Sequence, residues 1–109
     1  MDTATYNARL AATMSEADLE EAVRSTCASL GIRRFHHYSS RRTEPGWPDD
    51  VLIGAHGVLF RELKAPRGHV SDAQQSTLDS LSGNGLNAGL WRPADWLSGL
   101  VVAELREIR

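Results

Sequence analysis

The stretch GWPDDVLIGAHGVLFRELK, residues 46–64, decides how the chain folds. Two apolar runs, DVLIG and VLFRELK, flank a short turn that is bounded by Gly54 and Gly57. Runs of this length with alternating character, split by a glycine-bounded turn, read as a β-hairpin. With the turn centred between Ala55 and His56, Asp49 stands opposite Glu62. Alternation then puts Asp49, Val51 and Ile53 on one face with Val58, Phe60, Glu62 and Lys64, and turns Leu52, Leu59 and Leu63 toward a covering helix. Opposed carboxylates have Cβ atoms about 5 Å apart and repel. Lys64 is one compensation on that face, and a divalent cation is another. Oxygen donors alone favour a hard ion such as Mg²⁺ or Mn²⁺. The bland alternative is a solvated pair at the edge of the sheet with Lys64 as counter-charge. A slip of one residue in the turn would part the two acids.

Outward from the hairpin, the chain reads α-β-β-β-α-β-α. SEADLEEAVRSTCASLG is a helix with Ser15 as N-cap, acidic Glu16 and Asp18 in the first turn, and Gly31 at the C-terminal cap. Its inward stripe at helical spacing is Leu19, Val23, Thr26, Cys27 and Leu30. IRRFHHYS follows as a strand and SRRTEPGWP as a loop. After the hairpin, VSDAQQSTLDSLSGNG is a helix capped by Ser71, and NAGLW is a short strand. Pro93 opens a last helix striped by Leu97, Leu100, Val101, Leu105 and Ile108. Residues 1–14 are expected as an N-terminal arm, frayed or briefly helical, before a domain over residues 15–109. The fold class is α/β, a mixed sheet flanked by helices.

The 109 residues suit one domain, and 41% hydrophobic with 24% charged residues suits a soluble one. No apolar run approaches the roughly 20 residues that span a bilayer. The first residues lack the basic-then-apolar order of a signal peptide, so a cytoplasmic location is expected. Cys27 is the only cysteine, which excludes an intrachain disulfide and a cysteine metal site. A net charge of −2 argues against coating nucleic acid by bulk electrostatics. It leaves room for a local patch, and Arg33, Arg34, Arg41 and Arg42 cluster near His36, His37 and Tyr38.

Pro48-Asp49 followed by Glu62-Leu63-Lys64 on the next strand resembles the PD-(D/E)XK nuclease signature. With SRRTEPGWPD, FRELKAPRGHVSDAQ and the closing WRPADW, the chain is similar to the VRR-NUC branch, the virus-type replication-repair nuclease domains, from about Glu16 to Trp96. The resemblance implies a restriction-endonuclease-like core, α-β-β-β-α-β, here with a C-terminal helix. It also implies metal-dependent hydrolysis of DNA phosphodiesters, often at branched structures. Single-domain members resemble Holliday junction resolvases and tend to be homodimers, so the implied partners are branched DNA and a second copy.

Carried over, Asp49 and Glu62 bind Mg²⁺ or Mn²⁺, the backbone carbonyl of Leu63 adds a ligand, and Lys64 orients or deprotonates the attacking water. The helix-borne acid of the superfamily falls on Glu20 or Glu16, with Glu20 the preferred metal ligand because it sits a turn deeper. Gln74 is either half of an S-x-x-Q capping box with Ser71 or a residue of the catalytic site. Arg41 and Arg42 lead toward Asp49 and are the DNA-backbone candidates, weighed against a solvated loop. Two other classes fit the same residues less well: a nuclease-fold module that binds DNA without cutting it, and a small interaction protein.

Overall fold

A computed structural model describes residues 1–37 and 45–109. The elements are α1 (Thr3–Thr13), α2 (Glu16–Leu30), β1 (Arg33–His36), β2 (Asp50–Gly54), β3 (Gly57–Leu63), α3 (Asp72–Gly83), β4 (Asn87–Trp91), α4 (Pro93–Leu97) and α5 (Leu100–Ile108). The sheet has the order β1-β2-β3-β4. The first three strands are antiparallel neighbours, and β4 runs parallel to β3, with α3 as the crossover.

The hairpin register is the one the turn implies: Asp50 faces Arg61, Val51 faces Phe60 and Gly54 faces Gly57. One face therefore carries Leu52, Leu59 and Leu63, which are 0–2% exposed and pack with Leu19, Val23 and Cys27 of α2 and Val101, Leu105 and Ile108 of α5. Trp91 completes this core and is fully buried. Arg61 points into the same layer at 4% exposure. Its guanidinium donates to Glu104 Oε2 and Asn87 Oδ1, both at 2.7 Å, and lies 5.2 Å from the centre of the Trp91 ring. Trp91 Nε1 donates to Glu104 Oε1 at 2.9 Å, so this buried charge has its partners and ties β3 to β4 and α5. The opposite face is covered over β4 by α3.

Helix α2 begins as its sequence dictates. Ser15 Oγ accepts from Asp18 N–H and Asp18 Oδ2 accepts from Ser15 N–H, while Gly31 takes the left-handed φ of 71° that stops the helix.

The structure sharpens the sequence reading in three places, the first of which had allowed a short helix. The N-terminal arm is the regular helix α1, capped by Asp2, with Ala11 buried and Asn7 Nδ2 donating to Leu97 O of α4. Small residues on one side of α1 let it lie close to α4, a contact that helical periodicity alone does not show. The last helix is two helices, because Gly99 adopts a φ of 88° between α4 and α5. As a result only Val101, Leu105 and Ile108 of the expected stripe are buried, and Leu100 is 46% exposed. Finally, β1 spans Arg33–His36 among the described residues, Ile32 joins the core ahead of it, and positions 38 and 39 of the expected strand lie outside the described residues. No helix among the described residues is long and apolar enough to cross a membrane.

Candidate metal centre

Asp49 and Glu62 converge on the sheet face that carries Val51 and Phe60. Asp49 immediately precedes β2, and its carbonyl oxygen accepts from His37 N–H at 2.8 Å, which continues the β1–β2 pairing by one step. Upstream, Pro48 is fully buried. Gly46 takes a φ of 93° and lies against Ala73 and Thr77 of α3. The chain enters the site held from both sides.

Asp49 Oδ2 accepts the Leu63 amide N–H at 2.9 Å. The middle residue of the Glu-Leu-Lys triplet is thus brought to the pair through its amide, while its side chain is buried in the opposite layer. Glu62 is only 2% exposed. Its Oε1 accepts from Gln74 Nε2 at 3.0 Å and lies 3.9 Å from Lys64 Nζ, whereas its Oε2 is buried with no hydrogen-bond partner. Burial, and then the Asp49 carboxylate beside it, push the Glu62 carboxyl from its ordinary 4.5 up to about 8, with Lys64 pulling the other way. A solvated pair at the sheet's edge does not describe this geometry.

Gln74 completes the capping box and also reaches Glu62. Its Oε1 accepts from Ser71 N–H at 2.9 Å and Ser71 Oγ accepts from Gln74 N–H at 3.1 Å, which is a complete capping box at the start of α3. The remaining amide hydrogens reach Glu62. Gln74→Ala is therefore expected to lower the melting temperature more than Ser71→Ala. Loss of a cap costs about 1 kcal/mol, and Gln74→Ala also strips a buried carboxyl of its donor, a further cost of about 1–3 kcal/mol. Thermal melts of the two variants side by side check this.

The structure does not bring Glu20 to the pair. Glu20 Oε1 lies 3.3 Å from both Arg34 Nη2 and His36 Nε2. Arg34 and His36 face Leu52 and Asp50 in the register, so this cluster occupies the α2 side of the sheet. A strand residue changes face with every step, and the two cationic partners that claim Glu20 sit on the wrong one for Asp49. Glu16, the alternative, is an exposed first residue of α2. Among the described residues, no group of three or more His, Cys, Asp or Glu side chains is placed to hold a metal ion.

Asp50, to which the sequence reading gave no role, is the centre of that second cluster. It is fully buried, with Arg34 Nε at 3.0 Å and His36 Nδ1 at 2.7 Å from Oδ1. Burial raises its carboxyl, and His36 and Arg34 oppose that rise. Arg34 is thereby withdrawn from the basic patch expected of Arg33, Arg34, Arg41 and Arg42. Arg41 and Arg42 lie among residues 38–44, outside the described residues.

Set beside known proteins, the chain matches no family model, no curated protein and no solved structure.

Proposed function

We propose that the chain is a divalent-metal-dependent DNA endonuclease with a PD-(D/E)XK core, similar to the VRR-NUC nucleases and acting on branched DNA. One observation carries the reading: Glu62 is buried beside Asp49 with an unpartnered oxygen, and it is flanked by Lys64 and Gln74. A core that exists only for stability gains little from two adjoining carboxylates, one of them desolvated. A cation held by Asp49 and Glu62 would give the orphaned oxygen a partner and would favour the ionised form that burial opposes. Two carboxylates also suit Mg²⁺, which keeps several of its waters.

The residues divide the work. Leu63 N–H holds one oxygen of Asp49 and Gln74 holds one oxygen of Glu62, which fixes the two carboxylates that would hold the ion. Lys64, tethered by Trp91 O accepting its backbone N–H at 3.1 Å, presents Nζ beside them to orient the attacking water or a phosphate oxygen. An ion held there would supply a more acidic bound water and would offset the charge that builds on the phosphate. Lysine suits the role better than arginine, because a guanidinium stays protonated and cannot pass a proton.

The test is cleavage of labelled four-way, flap, gapped and linear DNA with Mg²⁺ or Mn²⁺ by wild type, Asp49→Ala and Lys64→Ala. Metal-dependent nicking is expected from wild type and from neither variant, with branched substrates cut fastest. Tight binding without cutting would instead mean a nuclease-fold DNA-binding module. Neither binding nor cutting would mean an interaction protein. A resolvase needs two sites for two cuts, so a homodimer is expected by light scattering.

A further inference from the structure

The sheet face that carries Asp49 and Glu62 continues into a row of aromatic and apolar side chains. Phe35, Val51 and Phe60 face one another across β1, β2 and β3, two residues along each strand from the carboxylates, a step of about 7 Å. Phe35 is 50% exposed and Val58, in the next row, 38%. Trp47 stands over this row, its ring edge-on to Phe60 with centroids 6.1 Å apart and planes at 85°. It is 42% exposed although both of its neighbours are fixed, Gly46 against α3 and Pro48 in the interior. A large ring held half in water between two packed residues, two positions before a candidate metal ligand, contributes little to the core.

The geometry points to Trp47, with Phe35 and Phe60 around it, as a stacking platform for an unpaired nucleobase next to the scissile phosphate. The inference rests on the nuclease reading and adds the feature of the substrate that the site selects. Stacked nucleotides rise about 3.4 Å along a strand, so a base on this row lies within a nucleotide or two of a phosphate at the carboxylates. Aromatic faces bind any base, which makes the selection one of unpaired structure rather than sequence. Charge on the face agrees. Arg33 extends over the Phe35 ring, 5.2 Å from its centre, and Lys64 stands at the other end. These cations, at either end of the row, complement a phosphate backbone.

The test uses the full chain with Ca²⁺ in place of Mg²⁺, so that binding is read without cutting. The probes are a single-stranded oligothymidylate of about 15 nucleotides and a blunt duplex of equal length. In wild type the oligothymidylate is expected to quench tryptophan fluorescence, and Trp47→Phe should lose that quenching yet bind nearly as well. Trp47→Ala should bind the single strand about tenfold or more weakly and the duplex unchanged. Equal single-strand binding by Trp47→Ala would overturn the platform, as would an equal loss in Trp47→Phe and Trp47→Ala. So would a Trp47→Ala chain that changes from dimer to monomer and loses both probes together, which would make this face a contact between copies. Ring-dependent binding in a chain that cuts nothing would sink the nuclease reading and leave the platform. Cutting that ignores Trp47 would do the reverse.

Discussion

Glu62→Gln is expected to abolish metal-dependent cleavage and, at pH 8 without metal, to raise the melting temperature. Activity falls because the amide keeps the shape and the Gln74 contact but offers a cation no charge. Loss of a metal-binding carboxylate should lower the rate by about a thousandfold or more. Stability rises because of how this carboxyl titrates. Burial and Asp49 lift its pKa in the folded chain to about 8 from the ordinary 4.5 of an unfolded one. Between these values the folded chain holds a proton that the unfolded chain has released. The stabilisation is therefore complete below about 4.5 and is lost as the pH climbs through about 8. A pKa raised by one is worth about 1.4 kcal/mol, so even half of this rise exceeds the roughly 1 kcal/mol of a neutral hydrogen bond. Wild type should melt at progressively lower temperature from pH 5 to pH 8. Glu62→Gln should be flatter and pull ahead by about 5 °C or more at the upper end. Mg²⁺ should raise the wild-type transition at pH 8 and leave that of the variant unmoved. Scanning calorimetry over this range, with and without Mg²⁺, reads all three effects. A variant that melts lower than wild type at pH 8 would mean that Glu62 is not strained by its burial.

Gly46→Ala should have the largest effect on the fold. A Cβ at this position would come well inside 3.0 Å of the Ala73 carbonyl oxygen, a backbone atom that cannot swing aside, and would crowd Thr77 Oγ1. The φ of 93° is itself unfavourable for any residue with a side chain. Together these should cost about 3 kcal/mol or more, a fall in melting temperature of more than about 10 °C. The effect on function follows from position, since Gly46 seats the segment that carries Trp47, Pro48 and Asp49 against α3. Relief of the clash must move either that segment or the first turn of α3, where Gln74 holds Glu62. Cleavage should therefore fall further than the remaining folded fraction explains. An alanine variant that melts within about 2 °C of wild type would show that this segment is not seated on the helix.

Much of this was legible in the chain because the hairpin sets its own register. Gly54 and Gly57 bound a turn with two residues between them, and from there the pairing of Asp49 with Glu62 and the burial of Leu52, Leu59 and Leu63 follow by alternation. Gln74 was legible too, since one spacing served both the cap and the inward face. What stayed hidden depends on contacts distant in sequence. β1 and β2 lie too far apart in sequence for hairpin spacing to fix their register. Nothing in RRFHH told that Arg34 and His36 would meet Asp50 on the far face and draw Glu20 there with them. The break at Gly99 was missed for another reason, because helical spacing of apolar residues continued straight through it. The docking of α1 on α4 depends on small residues whose pattern is weak.

The opposed carboxylates of Asp49 and Glu62 are the centre of the proposal, and calorimetric titration of Mn²⁺ at pH 8 tests them most directly. One saturable site is expected in wild type, with heats that change with buffer as Glu62 gives up its proton, and none in Glu62→Gln. No binding by wild type, or the same binding by both, would contradict a metal centre on this face of the hairpin.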